Sequence, residues 1–397
     1  MNWWRVLGLI SGTSMDGVDV AAAELRLDGD VLELRPLGST TVAYPPDLHR
    51  DLLAALPPAP CSAAELCRLD TLVGQHFATA AGVGLELADG RADFVASLGQ
   101  TLYHWVQDGR ARGTLQIGQP AWIAEATGLP VVSDLRARDV AAGGHGAPLA
   151  GVLDALWLAD EPGPGVALNI GGIANITVVG GARPLAYDTG PGNALIDLAA
   201  ARVNGEPQDT GGAIAASGTV RADLLDALLA DEYYRLPPPK STGKERFNAA
   251  YLDRALAQVD IADADLLATL TELTARTIAD ACRAAGAVRV VASGGGVRNP
   301  VLLAALRRLL DVPVLVSDEL GLPADSKEAL LTALLGFLTW HGSSGNTPGT
   351  TGAAGPRLLG SITPGAGPLR LPDPAIHQPR RLHVQPRHTT QEAQCIP

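Results

Sequence analysis

The chain contains the same strand–turn–strand pattern twice, once in each half of its sequence. In the first copy, two apolar runs flank the segment Ser11-Gly12-Thr13-Ser14-Met15-Asp16-Gly17. In the second copy, two apolar runs between Gly165 and Val179 flank the pair Gly171-Gly172. Strand-forming runs on either side of a short turn of small residues predict antiparallel strand pairs. Their repetition predicts a doubled α/β fold with two related lobes.

Both turns have the chemistry of a phosphate-binding loop. Glycine lets the main chain approach a ligand, and successive N–H groups in such a turn form a concavity for anions. The carboxylates of Asp16 and Asp19 are hard oxygen donors that suit Mg²⁺. We therefore expect a nucleotide polyphosphate in a cleft between the two lobes. The alternative for the first turn is a plain hairpin with two solvated aspartates.

The length of 397 residues fits two domains of ordinary size. Strand and helix patterns predict an N-terminal lobe over residues 1–135, which carries the first phosphate loop, and a C-terminal lobe over residues 136–370. After Leu371 no periodicity remains, and the composition predicts a disordered tail over residues 371–397.

The net charge of −12 argues against a nucleic-acid partner, because phosphate-backbone binding needs clustered Lys and Arg. No apolar stretch reaches the length needed to cross a bilayer, so no membrane partner is expected. The four cysteines have neither C-x-x-C spacing nor histidines at zinc-site spacing. They are typical of reduced thiols, which predicts a cytoplasmic protein.

Asp188 is the candidate catalytic base. It ends a predicted strand and is followed by the rigid bend Thr189-Gly190-Pro191-Gly192, which begins a helix. A carboxylate in this position lies next to a helix N-terminus that can hold anions. The alternative is an aspartate that only caps the helix.

A third glycine-rich segment, Ser293-Gly294-Gly295-Gly296, follows a strand and precedes a helix. Its glycines would let a flat adenosine lie against the main chain. Because the segment is not G-x-G-x-x-G, a dinucleotide site is not expected. Close packing of the helix on the strand is the alternative.

Many short motifs along residues 6–365 resemble those of the anhydro-N-acetylmuramic acid kinases, a family of the actin, Hsp70 and sugar-kinase superfold. The matching segments are Ile10 to Asp19, Gly99-Gln100-Thr101, Gln116-Ile117-Gly118, Asp139 to Leu149, Asn169 to Thr177, Asp188 to Asn193, Pro239-Lys240-Ser241-Thr242-Gly243, Gly294 to Pro300 and Lys327-Glu328-Ala329. The resemblance implies a two-lobed actin-like ATPase fold, which is a duplicated ribonuclease H-like fold.

The resemblance also implies an activity. The family opens the 1,6-anhydro ring of anhydro-N-acetylmuramate with water and phosphorylates O6 with ATP, giving N-acetylmuramate 6-phosphate and ADP for cell-wall sugar recycling. Asp188 would be the base that activates the water. Two alternatives stay open: a kinase for another amino or anhydro sugar, and a nucleotide-switched binding protein of the same superfold. The oligomeric state also stays open, with a homodimer as one alternative.

Taken together, the motifs predict three sets of site residues. ATP and Mg²⁺ would be bound by Gly12, Thr13, Ser14, Met15, Asp16, Gly17, Val18, Asp19, Asn169, Gly171, Gly172, Asn175, Gly294, Gly295, Gly296 and Asn299. The sugar would contact Gln100, Thr101, His145, Gly190 and Asn193. Asp16 and Glu328 are the candidate metal ligands. Leu98 and His145 depart from the family pattern, which usually has His and Gln there.

Overall fold

The computed structural model describes residues 2–160, 163–180, 184–238, 240–243, 245–257 and 259–385. The chain divides into two compact units. The first unit contains the chain up to Ala159 and the chain from Ser326 onward, and the second unit runs from Asp160 to Asp325. This division differs from the predicted lobes, because residues 136–159 and the segment after Ser326 both belong to the first unit.

The first unit is built on a mixed sheet with helices packed against it. Its elements before the second unit are β1 (Trp4–Ser11), β2 (Gly17–Asp28), β3 (Val31–Ala43), α1 (Pro46–Ala54), α2 (Ala63–Leu87), β4 (Phe94–Gln107), β5 (Arg110–Ile117), α3 (Pro120–Thr127), β6 (Val131–Ser133), α4 (Ala137–Ala141) and α5 (Ala150–Trp157). Strands β1, β2 and β3 form an antiparallel meander, β4 runs parallel to β1, and β6 runs parallel to β4.

Local sequence signals explain two of these boundaries. A two-residue turn at Gly29-Asp30 joins Asp28 to its partner Val31, and Gly29 has a φ of 63°. Glycine reaches this left-handed conformation without steric cost. At the start of α2, the Ser62 hydroxyl accepts a hydrogen bond from the Glu65 N–H (3.1 Å), so Ser62 is the N-cap of this helix.

The second unit repeats the same sheet order. Its elements are β7 (Gly165–Ile170), β8 (Ala174–Val179), β9 (Leu185–Gly190), α6 (Ala194–Asn204), α7 (Ala222–Leu229), α8 (Ala249–Leu256), α9 (Asp263–Ala284), β10 (Arg289–Ser293), α10 (Pro300–Leu309) and β11 (Val314–Val316). Strands β7, β8 and β9 form the antiparallel meander, β10 runs parallel to β7, and β11 runs parallel to β10.

Both units therefore have a three-stranded antiparallel meander. In each, the first strand of the meander also pairs with a parallel strand, which pairs in turn with a second parallel strand. This arrangement confirms the predicted duplicated ribonuclease H-like, actin-like fold. In each unit the sheet is covered by a core dominated by Leu, Val, Ile and Ala. In the second unit, α9 and α10 supply much of the core that covers β7 and β10.

The chain then returns to the first unit through α11 (Lys327–Trp340), α12 (Pro348–Thr351), β12 (Ser361–Thr363) and β13 (Arg381–Val384). Helix α11 packs directly on β1, so closely that a Cβ added to Gly8 would lie 2.0 Å from the Ala329 carbonyl oxygen. This packing explains why the return segment belongs to the first unit.

The expectation of a disordered tail over residues 371–397 is wrong for its described part. Strand β13 pairs in parallel with β3, from Arg381 opposite Val31 to Val384 opposite Leu34. Main-chain pairing to an open sheet edge orders this strand although its sequence lacks a clear pattern. Residues 386–397 lie outside the described residues.

In the described ranges, no helix has both the length and the apolar character needed to span a bilayer.

Candidate active site

The first glycine-rich loop joins β1 to β2, as predicted, and a buried glutamine holds it. The Ser11 hydroxyl lies 2.6 Å from Oε1 of Gln100 and 2.7 Å from the Gly17 carbonyl oxygen. Nε2 of Gln100 donates to the Gly12 carbonyl (3.2 Å). Gln100 is fully buried, so in this structure its side chain supports the loop, although the sequence suggested a sugar contact.

The loop presents only some of its predicted ligand residues to solvent. Thr13, Ser14 and Asp16 are exposed, and the Ser14 hydroxyl donates to Oδ1 of Asp16 (2.8 Å). Met15 belongs to the hydrophobic core of the first unit, and Val18 is also buried there. Contacts to a nucleotide can therefore come from the exposed hydroxyls and from the main chain, but not from the Met15 or Val18 side chains.

The candidate metal ligands all lie in the first unit. Thr41 donates its hydroxyl hydrogen to Oδ1 of Asp19 (2.6 Å), and Glu328 lies exposed in the first turn of α11. Among the described residues, no group of three or more His, Cys, Asp or Glu side chains is arranged to hold a metal ion. Mg²⁺ commonly uses one or two carboxylates together with substrate phosphates, and Asp16 and Asp19 fit that pattern.

The second loop, between β7 and β8, packs against the start of α6. The Asn193 and Ala194 N–H groups donate to the Gly171 (2.8 Å) and Gly172 (3.0 Å) carbonyls. A Cβ added to Gly192 would lie 2.3 Å from the Gly171 carbonyl oxygen, so only glycine fits there. Asn193, predicted to contact sugar, thus supports the second loop through its main chain.

The remaining residues of this loop lie on neighbouring strands. Asn169 and Asn175 are paired residues of β7 and β8, and Asn175 is also paired with Asp188 of β9. Gly190 is buried, and a Cβ on it would lie 3.0 Å from Cε1 of Tyr234.

The third glycine segment lies directly on the second loop. Gly294 has a φ of 83°, and a Cβ there would lie 2.5 Å from Oδ1 of Asn169. A Cβ on Gly296 would lie 2.3 Å from Cγ2 of Ile170, whereas a Cβ on Gly295 would meet nothing within 4 Å. The close packing offered as an alternative is therefore present at Gly294 and Gly296, and Gly295 is the glycine with open space.

Asn299, predicted to bind nucleotide, is the N-cap of α10. Its Oδ1 accepts hydrogen bonds from the Val301 (3.0 Å) and Leu302 (3.1 Å) N–H groups, and the residue is buried. The side chain thus has a sufficient structural reason to be an asparagine.

Asp188 lies on β9 with one carboxylate oxygen held by a neighbouring loop. Its Oδ2 accepts hydrogen bonds from the Ser241 hydroxyl (2.8 Å) and from the Thr242 N–H (2.9 Å). The pKa of Asp188 is raised above its ordinary value, mainly because the carboxyl group is removed from water. The hydrogen bonds from Thr242 and Ser241 lower this pKa, and the nearby charge of Glu245 raises it. Asp188 does not cap the helix, since α6 begins after Asn193.

The loop beside Asp188 is anchored by its own contacts. The Asp188 N–H donates to the Lys240 carbonyl (3.1 Å), and the Tyr233 hydroxyl donates to the Asp188 carbonyl (2.8 Å). Ser241 and Thr242 also border an open cavity of about 970 Å³ within the second unit. The sequence placed Ser241 and Thr242 in a motif but gave them no role, because nothing in it indicates their contact with a strand 53 residues away. Pro239 of that motif lies outside the described residues.

A buried aspartate organises the loop that contains His145. Oδ2 of Asp139 accepts from the Gly146 N–H (2.8 Å), and its Oδ1 accepts from the Asn346 amide (2.7 Å) and the Thr351 hydroxyl (2.8 Å). The His145 N–H donates to the Thr351 carbonyl (2.8 Å). Asp139 was not among the predicted site residues, and two of its partners, Asn346 and Thr351, come from the distant return segment.

The segment around Leu98 lines a small cavity of about 180 Å³ in the first unit. Ser97 Oγ and Gln116 Oε1 border it, and both are buried without a hydrogen-bond partner among the described residues. Leu98 adds an apolar wall. Thr101, another predicted sugar residue, accepts a hydrogen bond from the Gln116 amide (3.1 Å).

Two solved structures with a distant resemblance to the chain are a glucokinase and a dehydratase component. A ROK family glucokinase from Streptomyces griseus, in complex with glucose and AMPPNP, aligns at 14% identity and a TM-score of 0.40 over 83% of this chain and 98% of its own. Component A of (R)-2-hydroxyglutaryl-CoA dehydratase from Acidaminococcus fermentans aligns at 16% identity and a TM-score of 0.44 over 83% and 96%. These identities and TM-scores are too low to support a conclusion about the function of this chain.

Sequence relatives are much closer. Residues 4–365 match the family model described as anhydro-N-acetylmuramic acid kinase. The anhydro-N-acetylmuramic acid kinase of Streptomyces coelicolor is 57% identical over 96% of this chain and 99% of its own length. The enzyme of the same name from Rhodococcus erythropolis is 50% identical over 96% and 99%. The chain therefore belongs to the anhydro-N-acetylmuramic acid kinase family.

Proposed function

We propose that this protein converts 1,6-anhydro-N-acetylmuramic acid, water and ATP into N-acetylmuramic acid 6-phosphate and ADP, as an enzyme of cell-wall sugar recycling in the cytoplasm. The observation that carries the proposal is the Asp188 carboxylate, which is partly buried and held through Oδ2 by Ser241 and Thr242. Family membership over nearly the whole chain supports the choice of substrates.

In this mechanism Asp188 takes one proton from a water molecule as the water oxygen bonds to C1 of the sugar. The bond between C1 and the bridging oxygen breaks, and that oxygen, now O6, bonds to the γ-phosphorus while ADP leaves. The second water hydrogen remains on the new C1 hydroxyl. One protein carboxylate suffices because the phosphoryl group captures the leaving oxygen, whereas an ordinary glycosidase needs two carboxyl groups.

In the first unit, the exposed hydroxyls of Thr13 and Ser14 are the nucleotide ligands that we propose. In the second unit, taken by itself, they are the main chain at Gly171 and Gly172 and the open side of Gly295. Asp16 and Asp19, with Glu328 as a further carboxylate, are the residues that would hold Mg²⁺. When bound, Mg²⁺ would neutralise charge on the transferred phosphoryl group.

The substrate assignment is tested by measuring ADP release with anhydro-N-acetylmuramate, with plain N-acetylmuramate, and without sugar. We expect rapid release only with the anhydro sugar. If ADP release is equal or faster with a different amino sugar, the protein is instead a kinase for that sugar. ADP release that no sugar stimulates would favour the nucleotide-switched binding protein.

The role of Asp188 is tested by Asp188→Asn. The amide has nearly the same shape but cannot accept the proton, so we expect turnover to fall about 10²–10⁴-fold while ATP affinity stays near wild type. Steady-state kinetics and calorimetric ATP titration measure the two quantities. A variant that keeps more than about a tenth of wild-type turnover would show that Asp188 is not the base.

A further inference from the structure

Among the described residues, two groups donate hydrogen bonds to the Asp188 carboxylate, and both reach the same oxygen. Ser241 Oγ lies 2.8 Å and Thr242 N lies 2.9 Å from Oδ2. Two donors on one oxygen fix the rotation of the carboxylate and engage the lone pairs of that oxygen. Oδ1 is then the oxygen left to accept a proton.

The segment that supplies these donors is itself held in place from two directions. The Lys240 ammonium donates to the Tyr233 (3.0 Å) and Tyr234 (3.3 Å) carbonyls. The Lys240 carbonyl accepts from the Asp188 N–H (3.1 Å), and the Tyr233 hydroxyl donates to the Asp188 carbonyl (2.8 Å). Tyr233 and the loop that carries Ser241 are therefore hydrogen-bonded to both main-chain groups of Asp188, its carbonyl and its N–H.

We propose that Ser241 is a positioning residue for the reaction, which orients Asp188 by binding Oδ2 and leaves Oδ1 as the proton acceptor. The inference rests on the proposed role of Asp188 as base. Ser241 does not touch the reacting atoms in this scheme and acts only through Asp188.

The charged and titratable groups around Asp188 give this hydrogen bond an electrostatic effect. Glu245 on the same loop opposes ionisation of Asp188, as does burial. The two cations in the described part of this segment are engaged elsewhere, because Lys240 binds main-chain carbonyls and Arg246 pairs with Asp231 (2.6 Å). Tyr233 contributes a hydroxyl that is bonded to the main chain. The Ser241 hydroxyl stabilises the ionised form of the Asp188 carboxylate. Because this donor belongs to a side chain, a substitution at Ser241 can remove it.

The test compares the dependence of kcat on pH for wild type, Ser241→Ala and Ser241→Thr. Without the hydroxyl the pKa of Asp188 rises. The acid limb of the profile, where kcat falls as the pH decreases, should therefore move to higher pH in Ser241→Ala by on the order of one pH unit. At pH values above the limb its kcat should return to within a few-fold of wild type. Ser241→Thr keeps a hydroxyl and should keep the wild-type limb.

A matched control and an independent readout complete the design. Ser217→Ala removes another exposed hydroxyl of the second unit, one that donates to the Ile214 carbonyl (2.8 Å), and should leave the profile unchanged. Carbon-13 NMR titration of the Asp188 carboxyl, assigned by its absence in Asp188→Asn, should show the same upward shift in Ser241→Ala without reference to turnover.

An acid limb that does not move, or a loss of kcat that is equal at every pH, would overturn the positioning role. This failure is separable from failure of the proposed function. If Asp188→Asn is inactive and the Ser241→Ala limb is unmoved, only the inference on Ser241 is wrong. If Asp188→Asn remains active, Asp188 is not the base and both proposals fall together.

Discussion

At the scale of single residues, the environment of a side chain decides its role more than its type does. Asp188 and Asp139 are both aspartates in glycine-rich surroundings. Asp139 accepts three hydrogen bonds and is fully buried, so it fixes a loop. Asp188 accepts two on a single oxygen and is only partly buried. The first arrangement is typical of a structural carboxylate and the second of an acid–base group.

The pKa of Asp188 predicts the acid side of the activity profile. The proposed base works only when it is ionised, so we expect activity to fall as the pH decreases through the pKa of Asp188. Because that pKa is raised above the ordinary value of 3.8, mainly by burial, the acid limb of kcat should lie above pH 3.8. Kinetics between pH 4 and 8 test this, with circular dichroism at each pH to confirm that the protein is folded. Full activity down to the lowest pH at which the fold persists would contradict the expectation.

At the scale of elements, close backbone packing holds the loops of the second unit together. The segment Gly294 to Gly296 lies on Asn169 and Ile170, and the start of α6 lies on Gly171 and Gly172. Each contact needs a glycine at the point of approach, because a Cβ there would overlap main chain or a buried side chain. Two of the three glycine-rich segments predicted from sequence are thus parts of one packed assembly.

This packing is tested by Gly294→Ala with Gly295→Ala as its matched control. A methyl group at Gly294 would lie 2.5 Å from Asn169 Oδ1 on a backbone with a φ of 83°. We expect Gly294→Ala to reduce the free energy of unfolding by about 1–3 kcal/mol. Gly295→Ala meets open space and should change it by less than about 0.5 kcal/mol. Urea unfolding measures both; equal effects would show that the packing at Gly294 is not restrictive.

At the scale of the whole molecule, the chain leaves the first unit at Ala159 and returns to it at Ser326. The return helix α11 packs on β1 and begins with Lys327, whose ammonium lies 2.7 Å from a carboxylate oxygen of Asp154 on α5. Both residues are buried. This ion pair joins parts of the first unit that are separated in sequence by the entire second unit.

Lys327→Met should therefore be strongly destabilising. It leaves the Asp154 carboxylate buried without its cation, which typically costs about 3–5 kcal/mol. Arg50→Met is the control, because the Arg50–Asp47 pair has side chains 68% and 84% exposed and should cost less than about 1 kcal/mol. Denaturant unfolding of the two variants should separate them clearly. A loss at Lys327 no larger than at Arg50 would mean that the buried pair does not stabilise the return of the chain.

The sequence alone determined the features that depend on local pattern. The doubled strand–turn–strand motif predicted the antiparallel strand pair that begins each meander. The sequence also indicated Asp188 as the candidate base, because a carboxylate between a strand end and a glycine-rich bend is a local signal, and this role stays a prediction. The family was readable from many short motifs in a fixed order.

Only the tertiary structure decided which distant residues meet. Local patterns do not specify that Ser241 reaches Asp188, that Gln100 supports the first loop, or that α11 rejoins β1, since each contact joins segments separated by 50 residues or more. For the same reason the predicted lobe boundary at residue 135 and the predicted disorder of residues 371–385 did not match the structure. Burial and pairing with a distant partner set these features, and they arise only when the chain has folded.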